Sequence, residues 1–377
     1  MEALNTEKLP KRPYFENLNG LRFIGSLAVL IFHSFSLHRE IWGDFYNNPI
    51  FQKVYFLTSK GHLGIILFFV LSGFLITYLL LWENKHFGKI NLWNYLMRRF
   101  LRVWPLYFLI VLFGFFLFPH LPYGIETIHE FWRFAIFASN IDEILLGLND
   151  RINFLSATWT VSVEEQFYLT WGVLIGLLSF KKKATYLIFF AIIILVSLIF
   201  RYNHLDDSRM LYYHTFSVMS DLAFGGMIGF YAFSGKAKQH FENLTRRQIT
   251  FFYVLAFFIF LFESHIFHGV LFTFERFVPG IIFSFIILEQ VYCKNSFLKI
   301  DKVPGFFQSG ELTYGFYMFH CIYIYYWNIF FKNAGMTDSI WYFLLYLFLI
   351  FASTYTTAFI SLHYYERPFL KLKKHFR

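Results

Sequence analysis

Arg22 and His33 stand eleven residues apart in the first long apolar run of the chain. On an α-helix that spacing is close to three turns, so both side chains project from one face, about 16 Å apart along the axis. Imidazole, with an unperturbed pKa of about 6.5, can take a proton at neutral pH. A guanidinium aligned with it can hold an anion. Ionisable groups are costly inside a membrane and are found facing cavities, each other or a pathway. His33 therefore reads either as a packing residue or as a general base, and both readings stand.

Arg98, Arg99 and Arg102 open another apolar run, with Trp104 and Pro105 just behind them. Arg98 and Arg102 are four apart and share a helix face. A basic cluster that only marks the end of a membrane span is served equally well by lysine, as at 181–183. Repeated arginine, whose fork grips phosphate through two hydrogen bonds, also suits an anionic ligand. A third run holds Trp159, Glu164, Glu165 and Tyr168. Adjacent carboxylates point about 100° apart and cannot serve one partner. Glu164 shares its face with Tyr168 and Trp171. One carboxylate can orient a His or hold an Arg while the other caps or pairs elsewhere, and Glu164 is the candidate for the first task. His320 lies mid-run behind Tyr314 and Tyr317, as a bundle contact or a second functional imidazole. Asp221, Glu275 and Arg276 read as bundle contacts, and Gly225 with Gly229 as a close-approach pair. Cys293 and Cys321 lack metal-ligand spacing and read as free, buried thiols. The sequence has no metal-binding motif, nucleophile elbow or phosphate-binding glycine loop.

The elements that position these residues are set by composition. Of 377 residues, 57% are hydrophobic and 15% charged, against roughly 45–50% and 25% in a soluble domain. The solvent of such a chain is lipid. Ten apolar segments, near 21–38, 62–82, 100–118, 157–179, 184–200, 211–233, 249–267, 270–291, 311–331 and 340–362, suit helices crossing the hydrocarbon. The amphipathic segment 131–148 suits the interface or a re-entrant position. With the N-terminus in the cytoplasm, 23 Lys and Arg fall on inside segments and 8 on outside ones. That bias follows the positive-inside rule and predicts an all-α, polytopic bundle of about ten spans with both termini cytoplasmic. It also accounts for the net charge of +9 through membrane lipids, without nucleic acid. No repeat or linker divides 1–377, so one membrane domain is expected, with no removable leader. The outer loops are too short for an enzyme domain, so any chemistry lies inside the bundle.

Six segments, in order, resemble the acyltransferase family 3 membrane proteins, which acetylate O-antigen, exopolysaccharide and other glycans. Leu18-Asn19-Gly20-Leu21-Arg22 through His33 is similar to the family's opening, with Asn19 where Asp is common. Gly61-His62-Leu63-Gly64 through Ser72-Gly73-Phe74-Leu75 resembles its second-span signature. Arg98, Arg99, Arg102, Pro105 and Tyr107 resemble the start of the third span, and Thr158-Trp159-Thr160 through Glu164-Glu165-Gln166-Phe167-Tyr168-Leu169 the fourth. Tyr314-Gly315-Phe316-Tyr317-Met318-Phe319-His320 and Glu366-Arg367-Pro368 resemble the closing elements. The resemblance implies a plasma-membrane acyltransferase that takes an acyl group, acetyl by family prevalence, from cytoplasmic acyl-CoA. Its acceptor would be a hydroxyl of a glycan or lipid-linked sugar of the cell envelope. The layout is compatible with coenzyme A phosphates at Arg98, Arg99 and Arg102, with His33 as base or covalent acyl carrier near Arg22 and Glu164. Trp159, Glu165, Tyr168 and His320 are further candidates at the site. No appended hydrolase-like domain is expected, so activity would reside in the membrane domain. A transporter or channel with no chemistry is the rival class, since buried Arg, Glu and His also line ion pathways; the halves show no duplication that favours it.

Overall fold

A computed structural model describes residues 12–15, 17–36, 39–146, 154–178 and 182–376. Of the basic residues counted for topology, Lys8, Lys11, Arg151, Lys181 and Arg377 lie outside them. Among the described residues the secondary structure is entirely helical. Ten helices of 16 residues or more are labelled here α1 to α10: α1 Asn17–Ser36, α2 Leu63–Phe87, α3 Leu92–Leu112, α4 Trp159–Leu178, α5 Lys183–Asn203, α6 Thr215–Phe233, α7 Arg246–Leu261, α8 Phe277–Tyr292, α9 Phe306–Asn333 and α10 Ile340–Ile360.

Each of the ten apolar segments thus holds a helix. Seven helical stretches among the described residues are long and apolar enough to cross a membrane, those built on α1, α2, α3, α5, α6, α8 and α10. The other three differ for visible reasons. α7 has only 16 residues. α4 carries Glu164, Glu165 and Gln166, and α9 carries Glu311, His320 and Asn328. The outward sides of α5 and α7 are apolar and exposed, with Ile188 and Phe251 as examples. This is how a helix bundle meets lipid rather than water, and the protein is a membrane protein.

Small residues set the packing. A Cβ added at Gly73 of α2 would lie 2.1 Å from the Leu222 carbonyl oxygen of α6, and one at Gly225 of α6 would lie 2.1 Å from that of Val70. These two helices therefore touch backbone to backbone, as close-packed membrane helices do. α1 is held in the same way on two sides. A Cβ at Gly64 of α2 would lie 2.6 Å from the Gly25 carbonyl oxygen, and one at Gly310 of α9 would lie 2.4 Å from that of Asn19. Each carboxylate expected as a bundle contact has an arginine partner. Asp221 of α6 accepts two hydrogen bonds from Arg276, the Nε one at 3.0 Å. Glu275 pairs at 2.8 Å with Arg201, which lies in the last turn of α5 and is 1% exposed.

The segment expected at the interface or in a re-entrant position forms two short helices, Phe131–Ala135 and Ser139–Leu146. Their polar side is buried: Ser139 meets Ser162 at 2.7 Å, and Gln166 donates to the Phe137 carbonyl at 2.8 Å. Asp142 accepts from Arg133 at 2.6 Å and pairs with His129 at 2.6 Å. Both cysteines are free and buried, as expected.

Candidate active site

α1, α2, α3, α4 and α9 enclose a cavity of about 120 Å³. Its charged lining is Arg22 from α1, Arg99 and Arg102 from α3, and Glu164 from α4. Its other walls mix hydroxyl groups, from Ser72, Thr160, Tyr168, Tyr314 and Tyr317, with apolar groups such as Ile65 and Phe69. Helical periodicity explains the selection on α3, where Arg99 and Arg102 are three apart and Val103 follows on the same side.

Arg22 donates to the Asn19 amide oxygen at 3.1 Å, and Asn19 donates in turn to the Tyr14 hydroxyl at 2.5 Å. Where the resemblance led one to expect Asp, the neutral Asn19 thus supplies an acceptor without a charge. Arg99 lies over the ring of Tyr168, 5.3 Å from its centroid, and its buried Nε has no hydrogen-bond partner. Glu164 is held by hydroxyls: Oε1 accepts from Ser72 at 2.7 Å and Oε2 from Tyr168 at 3.0 Å. The expected His or Arg partner of Glu164 is not among its hydrogen bonds. Among the described residues, no ion pair engages Arg22, Arg99 or Arg102. The cavity therefore gathers three guanidinium groups against one carboxylate. Unpaired charge away from bulk water is costly, and an anionic ligand offsets that cost.

Arg98 behaves differently from its neighbours. It does not line the cavity. It pairs with Glu83 of α2 at 2.7 Å and donates to the Phe376 carbonyl at 2.6 Å. Glu165 also points away from the cavity, accepting from the Trp104 indole at 2.9 Å, with its second oxygen buried and unbonded. Trp159 is 4% exposed and packs on Phe69, Tyr212 and Tyr213.

His33 and His320 come together, although neither lines the cavity. His33 Nδ1 lies 2.8 Å from His320 Nε2. His320 Nδ1 faces the carbonyl oxygen of Tyr317 one turn back. The Tyr317 ring lines the cavity and has its centroid 5.3 Å from that of His320, so it stands where the cavity meets the histidine pair. Its hydroxyl accepts from Thr160 at 3.0 Å and donates to the Ala157 carbonyl at 3.2 Å. Cys321 adds a sulfur 3.2 Å from His320 Nε2 and 3.7 Å from His33 Nδ1. The donor atoms of these three residues lie within 4.8 Å of one another, close enough to hold a soft metal ion. Sequence spacing gave no sign of this cluster, because its members come from helices at opposite ends of the chain. Nor do Ser72, Tyr317 and Cys321 stand out in the sequence as site residues. The signals for Ser72 are a hydroxyl in the middle of an apolar run and its place in the second of the six resembling segments.

A family model described as an acyltransferase domain matches residues 15–359. A Staphylococcus aureus (strain COL) protein named "Putative O-acetyltransferase SACOL0978" is 26% identical over 378 residues, covering 97% of this chain and 58% of the relative. The protein named O-acetyltransferase OatA of Staphylococcus aureus (strain NCTC 8325 / PS 47) is 26% identical over 337 residues, covering 83% of this chain and 51% of the relative. The chain spans a little over half the length of these curated relatives. No solved structure matches it.

Proposed function

The chain belongs to acyltransferase family 3, and from that premise we propose that it transfers an acyl group, acetyl in the first instance, from cytoplasmic acyl-CoA to a hydroxyl of a cell-envelope glycan or lipid-linked sugar. The reading places one domain in the plasma membrane, with ten spans and both termini cytoplasmic. Its topology rests on the helices in all ten apolar segments and on the basic bias of alternate loops. Acetyl-CoA is the donor substrate.

The observation that carries the reading is the cavity, with three guanidinium groups that make no ion pair among the described residues at one part of its wall and Tyr317, which adjoins the His33–His320 pair, at another. Coenzyme A phosphates accept hydrogen bonds from Arg22, Arg99 and Arg102. Arg98, held by Glu83, braces α3 against α2. The thioester then lies toward Tyr317 and His33. His33 removes the proton from the acceptor hydroxyl, whose oxygen attacks the thioester carbonyl. The C–S bond breaks, and the departing thiolate takes up the proton. A general base of this kind contributes typically about 10²–10⁴-fold. Glu164, fixed between Ser72 and Tyr168, balances part of the arginine charge and keeps the cavity polar.

The same geometry admits acyl transfer to the imidazole of His33 and then to the acceptor. The two routes differ in whether a labelled acyl group stays on the chain when no acceptor is present. The test of the function is His33→Ala in purified protein. Acyl transfer from acetyl-CoA to glycan should vanish while the protein stays folded in detergent. Wild-type activity in that variant would remove the proposal.

A further inference from the structure

We propose that His320 is a positioning residue that fixes the tautomer of His33, leaving Nε2 of His33 as the nitrogen that takes the proton. The inference rests on the reading of His33 as base and adds which atom acts and what holds it.

The argument is a count of hydrogens. A carbonyl oxygen only accepts, so the Nδ1 of His320 that faces the Tyr317 carbonyl carries the hydrogen. A neutral imidazole has one N–H, so His320 Nε2 presents a lone pair. His33 Nδ1 lies 2.8 Å from that nitrogen and must therefore be the donor. The remaining nitrogen of His33, Nε2, is left with a free lone pair. The rings are 6° from parallel with centroids 5.1 Å apart, so the N–H···N bond runs edge to edge rather than through stacked faces.

The neutral state assumed for the pair follows from its surroundings. Among the described residues, no carboxylate hydrogen-bonds to either ring. His320 is 1% exposed, and burying an unpaired imidazolium is costly. The thiol of Cys321, a weak donor, sits beside the same lone pair and leaves the assignment unchanged. The helices are held at this separation by Gly310 of α9 against the Asn19 backbone of α1. His320 thus does for His33 what a buried acceptor does for any catalytic imidazole: it selects one N–H and aims the other nitrogen.

The experiment is a two-bond ¹H–¹⁵N correlation spectrum of the full chain in detergent, labelled with ¹⁵N-histidine. The His33 signals are assigned by their loss in His33→Gln. The wild type should show the Nδ1–H pattern for His33. In His320→Ala that pattern should become a mixture of tautomers, and kcat should fall on the order of 10²-fold, the low end of a general base's contribution, with KM for acetyl-CoA unchanged. His320→Gln, whose side-chain oxygen can still accept from Nδ1–H, should recover most of the rate. An Nε2–H pattern in the wild type would overturn the inference. So would a His320→Ala variant that keeps both tautomer and kcat, or a stoichiometric zinc ion in the purified protein, because the metal would occupy these nitrogens. If His320→Ala does not fold, the wild-type spectrum decides alone. Full activity in His33→Ala would instead remove the base reading, whatever tautomer the spectrum reports.

Discussion

Arg98 and Arg99 are adjacent in sequence, yet the structure gives them opposite tasks, and replacing each by alanine separates those tasks. Arg99 lines the cavity with an unbonded Nε and no carboxylate partner. A charged hydrogen bond to a phosphate contributes about 1.5–3 kcal/mol. Arg99→Ala should therefore raise KM for acetyl-CoA by about 10- to 150-fold. The loss should nearly disappear with S-acetyl-pantetheine, a donor without phosphates. Thermal stability of the donor-free protein should hold or rise, because a partly buried charge with no ion-pair partner among the described residues is removed. Arg98→Ala does the reverse. It strands Glu83, whose side chain is 10% exposed, with the Asn91 N–H at 3.0 Å as its one remaining donor among the described residues. Breaking a buried pair costs up to about 3–5 kcal/mol, read as a lower unfolding temperature in detergent. The ratio of activities with the two donors should not change. Equal donor-selective losses in both variants, or an unaltered KM in Arg99→Ala, would refute this division of the arginine cluster.

Gly73→Ala should destabilise the protein by at least 1–3 kcal/mol, roughly the cost of overpacking, because its new Cβ would lie 2.1 Å from a backbone oxygen of α6. Gly176→Ala, whose Cβ meets nothing within 4 Å, should be tolerated, and detergent melting curves compare the two. Asp221→Ala should cost about 3–5 kcal/mol by leaving Arg276 buried without its anion, and Asp221→Ala with Arg276→Met should recover much of the loss. Burial works to raise the Asp142 carboxyl, but hydrogen bonds from His129 and Arg133 outweigh it and hold it below the ordinary carboxylate value. A depressed folded value means stability present above the unfolded pKa, near 3.9, and lost as pH falls through the folded one. The unfolding temperature should drop across that acid range in the wild type and drop less in Asp142→Asn.

The helices were legible because a span needs only a local property, a run of apolar residues of sufficient length. All ten runs hold a helix, including α4 and α9, whose polar side chains keep them below the apolarity of a simple span. The direction of each polar side chain was less legible, since it depends on a partner far away in sequence. Arg98 and Arg102 share a face by spacing, but Glu83 on α2 draws Arg98 aside and leaves Arg99 with Arg102 on the cavity. The sequence makes Glu164 the candidate to orient a His or hold an Arg. Ser72, 92 residues earlier, supplies a hydroxyl instead. The alignment of Arg22 with His33 follows from helix geometry, but the contact with His320 could not be read from either helix alone.

The histidine contact joins residues 287 positions apart. At a synthesis rate of about 5–20 residues per second, His320 leaves the ribosome roughly 15 to 60 s after His33. During that interval α1 is threaded into the bilayer with its imidazole facing lipid or a temporary neighbour, and α2 likewise waits for α6 to cover Gly73. The contact between the two histidines, and the packing of α1 against α9, therefore forms only when the ninth long helix docks.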